Sequence, residues 1–280
     1  MSMEESFLSY GFIQRALLSG LLSGLACGLA GVFVVLLRIS FVGVCIAHAA
    51  LAGALVSVFA GLPPLPGAMI LSLAAAAAIS PLAGRGGISP DTATGVVFSV
   101  MLSVSMLALG LLPGARSDGL GLIWGSIMTV TGADLWFLIA VTTPFLVFLC
   151  ALFKEVQAVL CHKDAALAAG IPANVISQGM LLLLGAVIAA GMKAVGGLLI
   201  YSLIITPAAA AYQLTYRLKT MFVLSAVFGV ASCWTGIWAS CVLGWPSGAT
   251  IVLAATGILV LCIAVSPKRR ERAFMPPENP

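Results

Sequence analysis

The sequence predicts an all-α polytopic membrane protein with about eight to nine transmembrane helices. Three observations carry this prediction. Of 280 residues, 61% are hydrophobic and only 8% charged, against about a quarter charged in an ordinary soluble domain. The mean hydropathy is +1.18, more apolar surface than one globular core can hide while presenting a polar exterior to water. The charges are also spaced at long intervals, each close to or above the ~20 uncharged residues that a helix needs to cross the hydrocarbon core. Such a composition excludes a disulfide scaffold, a disordered chain, a nucleic-acid binder and a typical cytosolic enzyme. The net charge of +4 does not point to nucleic acid, because Lys268, Arg269, Arg270 and Arg272 crowd into one tail.

Counting between charges places the spans. Arg15 to Arg38 encloses 22 uncharged residues, Asp91 to Arg116 encloses 24, and Asp134 to Lys154 encloses 19. Asp164 to Lys193 encloses 28, and Lys193 to Arg217 encloses 23. Two intervals are twice as long, and each is broken by turn chemistry: Gly61–Pro66 within Arg38–Arg85, and Gly244–Gly248 within Lys219–Lys268. The count is nine spans, with Gly119–Ala133 too short and read as a re-entrant or interfacial piece. With the N-terminus outside, ten of the thirteen basic residues fall on the cytoplasmic side, leaving Arg15, Arg116 and Lys193 outside. The C-terminus is therefore expected in the cytoplasm. Glu4 and Glu5 are unlike the basic start of a signal peptide, so the first apolar run reads as a retained helix. The expected organisation is an N-terminal segment (1–12), a transmembrane domain (13–266) with a cytoplasmic segment at 153–172, and a basic, disordered tail (267–280).

Small residues are dense, with 30 glycines and a run at Gly20, Gly24, Gly28 and Gly31. In lipid, close helix packing is built from such residues, because burying apolar surface gains little there. The seven cysteines are odd in number and contain no Cys-x-x-Cys, so no disulfide framework is expected.

Polar groups deep in a membrane are costly and therefore informative. No Asp or Glu falls in the middle of a span, and His48 is the imidazole that does. Cys45 lies three residues earlier, on the same helical face. A thiolate and an imidazole suit a borderline-soft ion such as zinc, and the competing reading is a neutral histidine bonded within the bundle. The longest polar interval, 153–172, contains a short helix: Asp164 is expected as its N-cap, Ala165–Ala169 as its body, Gly170 as its left-handed terminus, and Pro172 as the stop. A compact helix of this kind suits docking to a cytoplasmic partner. On the outer side Asp118 and Asp134 are candidates to receive cargo, and Asp134, just before an apolar run, reads rather as a helix cap. There is no phosphate-cradling G-x-x-x-x-G-K-[ST] and no G-x-S-x-G. ATP hydrolysis, if it drives this protein, belongs to another subunit.

Three stretches, Gly31–Gly43 running on to Gly53, His162–Pro172 and Met192–Ala211, together resemble the permease subunit of the zinc/manganese/iron uptake family of bacterial ABC transporters. Pro90–Gly95 is a weaker match, and the ordered set spans roughly residues 16–265. The resemblance implies a cobalamin-importer-like helical fold in the bacterial inner membrane. It implies a homodimer with two cytoplasmic ATPase subunits and a periplasmic or lipid-anchored metal-binding protein. No cofactor would be bound by this chain; zinc first, then manganese or iron, would be cargo, with ATP on the partner. The family's intramembrane histidine falls on His48, with Cys45 as a candidate second ligand. Its ATPase-coupling segment falls on Lys163, Asp164, Ala165, Ala168, Gly170 and Ile171. One departure matters: the family usually carries Asp four residues before the histidine, and this chain has Val44. That leaves room for a chelated metal. An ion-coupled secondary transporter would want intramembrane carboxylates, which are lacking in the spans. An intramembrane hydrolase would need one of Ser99, Ser103 or Ser105 to meet His48.

Overall fold

The computed structural model describes residues 11–111, 125, 127–197 and 200–268. The first ten residues, Asp118, most of the 119–133 interval's first half and the tail from 269 lie outside the described residues. Eleven α-helices are described, without a strand among the described residues. They are α1 (Gly11–Leu36), α2 (Ser40–Phe59), α3 (Pro64–Gly86), α4 (Pro90–Leu111) and α5 (Gly132–Ala151). Two short helices, α6 (Phe153–Cys161) and α7 (Lys163–Ala168), precede α8 (Ala173–Val195), α9 (Ile200–Leu214), α10 (Leu218–Leu243) and α11 (Ser247–Val265).

Eight of these are long and apolar enough to cross a membrane, and the protein is a multi-pass membrane protein. The ninth expected span differs. The uncharged interval after Lys193 is spent partly on the end of α8 and the turn at Gly196, so α9 keeps only 15 residues, about 22 Å of helix. It can be short because protein, rather than lipid, surrounds most of it: Ile200, Leu203, Ile204, Ala208 and Ala211 are fully buried. Part of the 119–133 interval is also clear. Ile127–Thr129 forms a 3-10 turn packed on α1, α8 and α11, with Ile127 and Val130 buried.

α1 is the centre of the bundle, in contact with α10, α9, α8 and α5. Its glycines set the spacing. A methyl at Gly24 would lie 2.6 Å from the Gly229 carbonyl oxygen of α10, and methyls at Gly28 and Gly31 would strike the carbonyls of Ser225 and Ile204. The same faces exchange hydrogen bonds: Ser225 Oγ donates to Gly28 O (2.5 Å) and Trp234 Nε1 to Leu17 O (3.2 Å). Against this pair sits a second layer in which α2 packs on α3 and α4, joined by a close approach of Gly53 to Gly67. α8 ties the layers together through α1, α2, α3 and α5, and Gln178 Nε2 donates across it to Ala76 O (3.1 Å).

The helix ends follow the turn chemistry of the sequence at Gly61 and Gly244, both left-handed (φ +70 and +67). α1 ends differently. Arg38 takes φ +55, held by Arg38 N–H to Val35 O (3.3 Å) and Ile39 N–H to Val34 O (3.1 Å). That is the Schellman pattern with arginine where glycine is usual, at a cost of roughly 1–2 kcal/mol.

The packing predicts that Gly24→Ala lowers the unfolding free energy in detergent by about 1–3 kcal/mol through overpacking. Gly257→Ala, with nothing within 4 Å of the added methyl, is expected to be neutral or stabilising. Equal losses at both positions in chemical denaturation would show that the glycines do not set the spacing.

Candidate functional site

α2 carries the intramembrane histidine with its side chain turned toward α4. The His48 ring is half-buried and packs edge-on against Phe98, centroids 4.9 Å apart, and Phe98 in turn meets Phe41 at 5.2 Å. His48 Nδ1 lies 3.0 Å from Val44 O, one turn back. A carbonyl can only accept, so Nδ1 is the donor in this contact and Nε2 takes no part in it. It is the arrangement by which a backbone carbonyl fixes a ligating imidazole's tautomer. Cys45 is fully buried in the apolar core. Among the described residues no third His, Cys, Asp or Glu joins them into a cluster able to hold a metal ion.

The candidate serines of α4 do not meet the imidazole. Ser99 and Ser103 donate to carbonyls one turn back in α4, at 2.9 and 2.7 Å. Ser105 donates to Met101 O (2.9 Å) and reaches the backbone carbonyl of His48 at 3.4 Å, rather than the imidazole. The serine hydroxyls are thus committed to backbone, as expected in lipid. Sequence reasoning did not single out Phe98 or Tyr201, whose ring packs over Gly43, where an added methyl would lie 3.1 Å from it. Aromatic residues in an apolar span carry no signal until the fold brings them to a site.

The segment 153–172 is helical in two pieces. α6 buries Val156, Val159 and Leu160 and exposes Lys154, Gln157 and Cys161. α7 begins at Lys163, and the cap position belongs to His162, without a side-chain bond. Asp164 is therefore not the N-cap expected from the sequence. It sits in the first turn, where its charge still favours the helix dipole. The other end is as expected: Gly170 takes φ +80, with Gly170 N–H to Leu167 O and Ile171 N–H to Ala166 O, both 3.0 Å. Ala166 anchors α7 to the bundle, whereas Lys163, Asp164, Ala165, Ala168 and Gly170 face outward. Leu167, absent from the expected set, is 41% exposed.

At the opposite end of α5 Thr131 is the N-cap, and Asp134 completes its capping box from the third helical position. Its carboxylate accepts from Thr131 N–H (2.8 Å) and Thr131 Oγ1 (2.6 Å), while Asp134 N–H donates to Thr131 Oγ1 (3.4 Å). Sequence reasoning missed its partner: Lys193, in the last turn of α8, lies 2.6 Å from the same Asp134 oxygen. The buried carboxylate is thus matched by a cation that itself favours a helix C-terminus.

The described residues thus form a helical, multi-spanning bundle with a polar side chain within one candidate span and an exposed short helix at one end. The comparisons give the family. The model of the ABC 3 transport family matches residues 9–266, and the chain belongs to that family. It is similar to the manganese transport system membrane protein MntC of Halalkalibacterium halodurans, 31% identical over 95% of this chain and 91% of that one. Among solved structures it resembles PsaBC from Streptococcus pneumoniae in complex with Fab, with a TM-score of 0.87, 29% identity and coverage of 97% and 98%. The fold is also that of an inward-facing metal-chelate type ABC transporter, at a TM-score of 0.72, 14% identity and coverage of 90% and 85%. The chain is accordingly a permease subunit of the ABC importer type rather than an enzyme.

The Asp134–Lys193 pair predicts a measurable coupling. In a double-mutant cycle of Asp134→Asn and Lys193→Gln, thermal unfolding in detergent is expected to give an interaction of about 0.5–3 kcal/mol. Additive losses would mean that the two side chains act separately.

Proposed function

We propose that this chain is the membrane permease of an ATP-driven importer of a divalent transition metal, acting as a homodimer on two ATPase subunits and fed by a metal-binding protein outside. The observation that carries the reading is the family match over nearly the whole chain, with a relative of 31% identity named for manganese transport. That name supports manganese as first cargo, ahead of the zinc that a Cys45–His48 pair would favour; iron is the third candidate. His48 Nε2 is the proposed contact for the passing ion, and Cys45 the proposed second ligand on the same face. Inward movement of a divalent cation is already helped by an inside-negative potential, at about 2.3 kcal/mol per charge per 100 mV. ATP then serves to accumulate a scarce ion and to open the path.

A chelated metal is the second reading, favoured by one observation: Val44 stands where the resembling family has a carboxylate, so the cation's charge is not matched on α2. Uptake of manganese, zinc and iron, free and chelated, into vesicles bearing the complete complex separates the readings. His48→Ala is expected to lower free-metal uptake at limiting concentration about tenfold or more. Val44→Asp is expected to move preference toward manganese, which suits carboxylate oxygen. Full uptake in His48→Ala together with unchanged selectivity in Val44→Asp would sink the ligand role.

The outward face of α7, with Lys163, Asp164, Ala165, Ala168 and Gly170, and Ile171 tucked behind, is the proposed ATPase contact. Leu167 is its apolar anchor. Leu167→Asp is expected to reduce co-purification of the ATPase subunit at least about tenfold, the weight of a buried interface leucine. Undiminished co-purification would place the contact elsewhere.

A further inference from the structure

The basic end of the bundle holds a second feature that the transport reading does not use. Between α6 and the turn joining α9 to α10 lies an open cleft of about 520 Å³, lined by Gln157, Cys161, Tyr216, Arg217, Lys219 and Thr220 among others, none of them acidic. Arg217 and Lys219 are exposed. Lys219 Nζ lies 5.9 Å from the Phe153 ring centroid, which ties it to the start of α6. At the flank, Lys268 stacks on Tyr212 at 3.6 Å and on Tyr216 at 4.6 Å. Two cations and one tyrosine therefore line the recess, and Tyr216 joins it to the Lys268–Tyr212 stack beside it.

Its neighbours say what the recess faces. Val223, one turn beyond Lys219 on α10, is 63% exposed, and Val265, one turn before Lys268 at the end of α11, is 69% exposed. Exposed Val227, Val260 and Leu261 continue both helices away from the cleft. An exposed apolar surface thus runs directly into a basic and aromatic one. Aromatic and cationic side chains take this position at the headgroup level of a bilayer, and basic pockets between transmembrane helices bind anionic headgroups there.

We propose that the cleft between α6 and the α9–α10 turn, with Lys268 at its flank, is a docking site for the headgroup of an anionic phospholipid. Arg217 and Lys219 meet the phosphate, Tyr216 and Gln157 offer further polar contacts, and the acyl chains lie along exposed α10 and α11. The headgroup would bridge α6, which leads into α7, to the paired ends of α9 and α10. This inference rests on the membrane-spanning fold and is independent of the metal assigned to His48.

The test uses the full-length chain co-expressed with its ATPase partner, purified in mild detergent and offered phosphatidylglycerol, phosphatidylcholine or inorganic phosphate. Native mass spectrometry reads retained lipid, thermal unfolding reads protection, and ATPase co-purification is scored alongside. The wild type is expected to retain phosphatidylglycerol over phosphatidylcholine and to be protected by it. Each removed charge in Arg217→Gln/Lys219→Gln is expected to lower that retention roughly fivefold. Arg217→Lys/Lys219→Arg should keep it, and Arg15→Gln, at the other end of α1, should leave it unchanged. Undiminished phosphatidylglycerol retention in the double glutamine variant overturns the proposal. So does equal protection by inorganic phosphate, which marks a free-anion site, and so does loss of the ATPase subunit with lipid retention unchanged, which marks a protein interface.

Discussion

The structure depends on how closely α1 can approach its neighbours. Inside a bilayer, helices gain little by burying apolar surface against one another, because lipid tails are as apolar as leucine. What remains is close contact and interhelical hydrogen bonding. α1 supplies both along one face: Gly24 meets Gly229, Gly28 accepts from Ser225, and Gly31 meets Ile204. A side chain at any of these positions would push α10 or α9 away from the centre. With α1 seated, α9 can be only 15 residues long and still be stable, since its buried face is completed by α1, α10 and α11.

The same constraint explains the treatment of polar groups. With no water to pair with them, Ser99 of α4, Ser232 of α10 and Thr256 of α11 donate to carbonyls of their own helices, and Ser225 of α10 donates across to α1. The buried Asp134 is surrounded by Thr131 and Lys193. His48 is bonded within its own helix, Nδ1 to Val44 O, and its ring is half-buried against Phe98. At the far end of the bundle α6 and α7 remain partly outside it, held by Val156, Val159, Leu160 and Ala166, and so present surface to partners.

Much of this was legible in the residues. Charge spacing located the long helices, Gly/Pro clusters located the turns at Gly61 and Gly244, and Gly170 marked the end of α7. These succeed because each depends on local chemistry: hydropathy, a left-handed φ, a missing N–H. The failures are equally specific. Asp164 was expected to cap α7, but the helix starts two residues earlier, with His162 at the cap. Nothing in the order of residues distinguishes those registers, which the packing of Ala166 and Ile171 selects. The interval after Lys193 was counted as a full span, because counting cannot see a turn placed at Gly196 within an apolar run.

The sequence by itself determined that this chain is a polytopic helical membrane protein, which of its residues are unusual at depth, and which family it resembles. Those are properties of composition, periodicity and ordered motifs. Only the tertiary structure decided that Asp134 pairs with Lys193, 59 positions away, that Phe98 rather than a serine faces His48, and that Arg217 and Lys219 line one cleft with α6. Such pairings depend on which helix faces are brought together. That is fixed by the steric fit of small residues such as Gly24, Gly53 and Gly67 against distant backbone, which has no signature along the chain.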